Sequence, residues 1–131
     1  MKFMKNIFRM ELNIPKTRNT PEFSISGGTI VFSGKSIPED AYAFYQPIQT
    51  AIATYLEKPN EQTILKFSLE YINSSSKKII TSILKIFEKS YFLGNATEVH
   101  WLYEGDDESI IDLGHDLHSI IRIPFLFQQI D

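Results

Sequence analysis

Cysteine is absent from this chain of 131 residues. Its absence excludes a disulfide framework, thiolate catalysis and any cysteine-held metal knuckle. Charge of one sign is also scarce: 13 Lys and Arg stand against 16 Asp and Glu, a net charge of −3. The lysines are scattered, and a mildly acidic chain without a basic run is poorly suited to coating a phosphate backbone, so nucleic acid is not an expected partner. No stretch approaches the about 18 to 20 consecutive apolar residues of a membrane span, and membrane insertion is not expected. The opening Met1-Lys2-Phe3-Met4-Lys5-Asn6-Ile7-Phe8-Arg9 interleaves bases with apolar residues and lacks the unbroken apolar core of a signal peptide. These absences together read as a cytoplasmic protein.

Apolar and aromatic residues are plentiful: 43 % of the chain is hydrophobic, with ten Phe, six Tyr and one Trp. That is enough to fill the core of one domain, which the length also fits, and it argues against intrinsic disorder.

Hydrophobic periodicity predicts the order of elements. Phe8 to Ile14 reads as an edge strand. Glu22–Ser26 and Thr29–Ser33 alternate as strands, and Gly27-Gly28 between them supplies the positive φ angles of a tight hairpin turn. No helix follows that glycine pair directly, so it is a turn and not a phosphate loop. Pro38 to Glu57 reads as a helix with Pro38-Glu39-Asp40 as its first turn. Its core face is Tyr42, Tyr45, Ile48, Ile52, Tyr55 and Leu56, and Pro47 predicts a kink or break. Thr63–Tyr71 is the clearest strand, with Leu65, Phe67, Leu69 and Tyr71 on one side. A helix from Ser75 to Phe92 follows, with Ile79, Ile80, Ile83, Leu84, Ile86 and Phe87 inward and Gly94-Asn95 as its stop. Thr97–Tyr103 reads as a strand with Trp101 in the core and His100 facing the surface. An acidic loop, Glu104 to Glu108, then leads into a last helix ending at Ile121, and Ile123–Phe127 reads as a final edge strand. The sum is an α/β domain: an N-terminal hairpin followed by alternating helix and strand, forming one mixed sheet with packed helices.

The most informative junction is Asn73-Ser74-Ser75-Ser76-Lys77-Lys78, between a strand and an amphipathic helix. Two readings stand side by side. In the first, one serine caps the helix by accepting a hydrogen bond from a free N–H of the first turn. In the second, a serine at the helix start is a phosphoacceptor, its phosphate stabilised by the free N–H groups and the helix dipole. Lys77 and Lys78 oppose that dipole and are better placed once an anion sits beside them. Ser74-x-x-Lys77 and Ser75-x-x-Lys78 also have the nucleophile spacing of serine β-lactamases. Their companion Ser-Asp-Asn and Lys-Thr-Gly motifs are missing, as are a Gly-x-Ser-x-Gly elbow and a Walker loop. No catalytic residue is assigned. Asp112, His115 and His118 share the spacing of a helix face, but His-x-x-His without a fixed further ligand reads as a polar face and not as a metal site. The acidic loop lacks calcium-loop spacing. Neither a metal nor a cofactor is expected.

Several blocks in order resemble one family. They are Thr20-Pro21-Glu22, Ser33-Gly34-Lys35-Ser36-Ile37-Pro38-Glu39, Phe44-Tyr45-Gln46-Pro47-Ile48, Leu69-Glu70-Tyr71-Ile72-Asn73-Ser74-Ser75-Ser76-Lys77, Trp101-x-Tyr103-Glu104 and Pro124-Phe125. In sequence and spacing the chain resembles the SiaC-type regulatory phosphoproteins, bacterial proteins with a STAS-like fold. The resemblance runs from Thr17 to the C-terminus, leaving residues 1–16 as a lead-in to a domain spanning 17–131. The family pattern at the junction is Asn-Thr-Ser-Ser with a phosphorylated threonine. Ser74 stands at that position here, and serine keeps the hydroxyl; Ser75 is a rival acceptor. Tyr71, Asn73, Ser76, Lys77 and Lys78 form the expected surroundings. The resemblance implies a cognate Ser/Thr kinase and a phosphatase that set the state, and an unphosphorylated form that binds a signalling partner. In the namesake system that partner is a diguanylate cyclase, so the output is cyclic-di-GMP and surface attachment. The alternatives are a constitutive scaffold whose serines only cap a helix, and a small enzyme using Ser74 and Lys77.

Overall fold

The computed structural model describes residues 11–131. Six strands and three helices follow one another as β1 (Leu12–Ile14), β2 (Glu22–Ser26), β3 (Thr29–Ser36), α1 (Ala41–Glu57), β4 (Gln62–Ile72), α2 (Ser74–Phe92), β5 (Ala96–Tyr103), α3 (Glu108–Ile120) and β6 (Phe125–Gln129). The strands lie in the sheet in chain order. β1, β2 and β3 pair antiparallel, whereas β3 to β6 run parallel and are joined by the three helices. This is the α/β domain, with a hairpin followed by alternating helix and strand, that the sequence predicts. Of the N-terminal edge strand expected over Phe8 to Ile14, the part before Glu11 lies outside the described residues.

One face of the sheet makes the core. Phe23, Phe32, Phe67 and Trp101 stand side by side across β2, β3, β4 and β5, all completely buried. Their ring centroids are 5.1, 4.8 and 5.4 Å apart along the row. Cross-strand aromatic neighbours at these separations add to the burial of their area. The three helices cover this face, while Ser24, Val31, Lys66 and His100 on the opposite face are only half buried. His100 Nε2 lies 3.3 Å from a carboxylate oxygen of Glu98, two residues away on the same strand.

Helix boundaries differ from the sequence reading in informative ways. Pro38-Glu39-Asp40 is not a helical turn: Asp40 is the N-cap, accepting from the Ala43 N–H at 3.1 Å, and α1 begins at Ala41. Ala41 thereby takes the core position one turn before Tyr45, and Tyr42, about 100° further round, is 67 % exposed and not inward. Pro47 does not break α1. It lies on the exposed side with Ala43, so the carbonyl deprived of an N–H partner faces water. On α2, Ile86 is likewise outside the core at 41 % exposure. Gly94, at φ +103°, ends α2 as expected: its N–H reaches the Tyr91 carbonyl and that of Asn95 the Ser90 carbonyl.

The largest departure is in β4. Gly34 of β3 is level with Leu69, but Lys35 is level with Tyr71, so Glu70 is an extra residue in β4. A single inserted residue reverses the inward–outward alternation beyond it. Tyr71, expected inward, is 60 % exposed, and Ile72 is buried in its place.

α3 is held to the sheet by the indole of Trp101, whose Nε1 donates to the Ile110 carbonyl at 2.9 Å. A Cβ at Gly114 would come within 2.5 Å of both Trp101 Cδ1 and Nε1. Gly114→Ala is therefore expected to destabilise the fold by about 1–3 kcal/mol through overpacking, read as a lower urea midpoint with unchanged slope; an unaltered midpoint would show that α3 can shift without loss.

Candidate functional site

The helix start singled out by sequence lies at the C-terminal end of the parallel strands, where open α/β sheets place their functional groups. β4 delivers Asn73 there, and Asn73, not a serine, is the N-cap of α2. Its Oδ1 accepts from the Ser76 N–H at 2.9 Å, and its backbone is extended, with φ −85° and ψ 170°. Its amide Nδ2 donates to the Pro38 carbonyl at 3.4 Å, and its N–H to the Ser36 carbonyl at 2.9 Å. The reading in which a serine caps the helix is therefore corrected.

The three serines have three environments. Ser74 and Ser75, the first two helical residues, are exposed, whereas Ser76 is completely buried. The Ser76 hydroxyl accepts from Ser36 Oγ at 2.8 Å, and Ser36 Oγ is also 2.6 Å from the Tyr45 phenol. With the Ser36 proton directed at Ser76, the Tyr45 phenol donates to Ser36. The relay ties β3, α1 and α2 together inside the core, and burial raises the Tyr45 pKa above 10.0 against the opposing pull of its two serine neighbours. No buried side-chain polar atom among the described residues is left without a partner.

Ser36 and Tyr45 were not marked by composition or spacing as part of the site. Tyr45 carried only a core-face signal, and Ser36 has none of its own, because a strand-end serine and a helix tyrosine nine residues apart meet only once α1 folds back.

Two clefts open beside the helix start, sharing Glu70, Tyr71 and Asp107. The smaller, about 210 Å³, lies between α2 and α3 and is lined by Lys77, Ser109 and Leu113 among others. The larger, about 470 Å³, extends past Tyr71 towards Lys35, Tyr103 and Ile130. Lys78 is exposed and lines neither cleft. The structure thus brings Tyr71, Asn73, Ser74, Ser75, Ser76 and Lys77 to one corner, with Tyr71 displayed only because of the bulge.

Asp112, His115 and His118 do not join this corner. His115 stacks on Phe127 with centroids 4.4 Å apart, and His118 on Phe125 at 5.0 Å. The α3 face expected to be simply polar packs against the aromatic rings of β6. No group of three or more His, Asp or Glu side chains placed to hold a metal ion occurs among the described residues. No helix among them is long and apolar enough to cross a membrane.

Fold and site define a small regulatory domain: a helix start with free hydroxyls, held rigid from below by a buried polar relay. The model of the SiaC family of regulatory phosphoproteins matches residues 14–130, and the chain belongs to that family. A protein of Pseudomonas aeruginosa (strain UCBPP-PA14) is 27 % identical over 125 residues, 92 % of this chain and 98 % of that one. The crystal structure of apo-SiaC from Pseudomonas aeruginosa superposes with a TM-score of 0.83 at 26 % identity, over 91 % of this chain and 98 % of its own. SiaC from the same organism, crystallised with the diguanylate cyclase SiaD that it activates, gives 0.83 and 26 % over 91 % of this chain and 99 % of that one.

Stability should separate the roles within the junction. Asn73→Ala is expected to cost about 0.5–2 kcal/mol for the lost cap. Ser76→Ala should cost about 1–3 kcal/mol, because it strands a buried hydroxyl. Ser74→Ala should stay within about 0.5 kcal/mol of wild type, as exposed positions do. Denaturant titration of the three variants checks the order. The raised Tyr45 pKa has a second consequence. Above pH 10.0 the unfolded phenol ionises before the folded one, so stability present below that pH is lost as pH climbs towards the raised folded value. Tyr45→Phe should flatten that alkaline decline.

Proposed function

We propose that this chain is a partner-binding switch set by phosphorylation of Ser74. A cognate Ser/Thr kinase adds the phosphate, a phosphatase removes it, and the unphosphorylated form binds a signalling partner of the diguanylate cyclase class. The observation that carries this reading is the division of labour at the helix start. Asn73 caps and Ser76 anchors, which leaves the exposed Ser74 hydroxyl with no structural bond to break on modification. Ser75 is exposed in the same way and is the rival acceptor.

The physics of the switch is local. A phosphoryl group adds about −1.5 to −2 charges and three acceptor oxygens at one point. The backbone N–H groups of Ser74 and Ser75 have no partner among the described residues, and Lys77 stands three residues on, so an anion finds donors and a cation at the positive end of the helix dipole. Because the relay below holds the corner rigid, the added charge alters the surface that meets a partner and leaves the fold in place. Family membership and the SiaC–SiaD complex of Pseudomonas aeruginosa support a non-catalytic role and a diguanylate cyclase as partner.

Ser74→Ala is expected to retain partner binding. Ser74→Asp should weaken it at least about tenfold, equivalent to about 1.4 kcal/mol, in calorimetry against the cyclase recovered with the alanine variant. Mass spectrometry of the protein from its native host should find phosphate on the peptide carrying Ser74. Equal binding by the two variants, or a peptide that is never modified, sinks the switch and leaves a constitutive scaffold.

A further inference from the structure

The larger cleft carries chemistry that the switch does not use. Its walls include two tyrosines, Tyr71 and Tyr103, and the hydrophobic end of the chain at Ile130, whose N–H bonds the Tyr103 carbonyl at 2.9 Å. Its charged groups are unbalanced: Glu70, Glu104 and Asp107 face a single cation, Lys35. Asp107 gives one oxygen to the Ile110 N–H at 3.1 Å, while the carboxylates of Glu70 and Glu104 have no hydrogen-bond or ion-pair partner among the described residues. Tyr71 lies 60 % exposed between the two clefts, turned outward by the extra residue in β4. A groove of about 470 Å³ has room for one long side chain and its neighbouring backbone, not for a helix.

We propose that this cleft is an anchor pocket for an arginine side chain presented by a partner protein. Guanidinium meets each feature of the lining. It stacks on aromatic rings, forms paired hydrogen bonds with carboxylates, and its three-carbon stem covers apolar surface such as Ile130. Lysine offers a strongly hydrated point charge and uses the tyrosines less well. The pocket adjoins the Ser74 corner through Tyr71, so a segment anchored here lies beside the helix start. The inference deepens the switch reading by naming the chemistry of the partner, and its test needs neither the partner nor phosphorylation.

The probe is Nα-acetyl-arginine amide, titrated into the full-length protein and followed by amide chemical shifts, with the corresponding citrulline and lysine amides beside it. Saturable shifts centred on Tyr71, Tyr103, Glu104 and Ile130 are expected for arginine, absent for the uncharged citrulline isostere, and weakened by added salt. Glu104→Gln and Glu70→Gln should each weaken binding about two- to fivefold, and Lys35→Gln should strengthen it, with spectra otherwise unchanged. No saturable shift at the cleft, or an equal response to citrulline or lysine, overturns the assignment. That result would leave the contrast between Ser74→Ala and Ser74→Asp untouched, so the two readings fail separately.

Discussion

The site rests on a chain of three hydroxyls that never reaches solvent. Tyr45, Ser36 and Ser76 come from a helix, a strand end and a second helix, and each is fully buried. Such groups are tolerated in a core only when all are satisfied, and a satisfied relay in a low-dielectric interior fixes geometry more tightly than apolar contact does. Here it fixes the first turn of α2. Asn73 completes the hold, donating to the carbonyls of Ser36 at the end of β3 and of Pro38 in the β3–α1 connection. Neighbouring positions therefore differ sharply in use: one serine is locked inside, and two stand at the surface with nothing structural to do.

Much of the fold was legible in the sequence. The glycine pair, the alternation in β2, β3 and β5, and the spacing of isoleucines on α2 are local signals, and the elements they predict are present. The order of helix and strand after the hairpin led to the right sheet, because short connections leave few other topologies. Family resemblance carried the site further than any single motif, since a serine before two lysines at a helix start is common.

What was not legible depended on tertiary neighbours. The start of α1 at Ala41 was hidden because Pro38-Glu39-Asp40 satisfies the composition of a first turn, while the capping geometry of Asp40 decides. Pro47 is tolerated for its place on the wet side of α1, which a proline in sequence does not announce. The α2 cap reads by composition as one of the three serines, because a serine at a helix start suits that role. Asn73 takes the role because its amide can also reach Pro38.

The inserted residue in β4 reaches beyond the pairing it interrupts. Up to Leu69 the strand obeys its own pleat; after it, inside and outside are exchanged. Straightening β4 at that point, with every residue kept and the bulge lost, would turn a tyrosine ring into the core and push an isoleucine into water; removing Glu70 would not, because Tyr71 would then follow Leu69 directly and still point outward. In this corner of the molecule, the way one surplus residue is absorbed acts as a chemical instruction, deciding which side chain a visiting protein meets first.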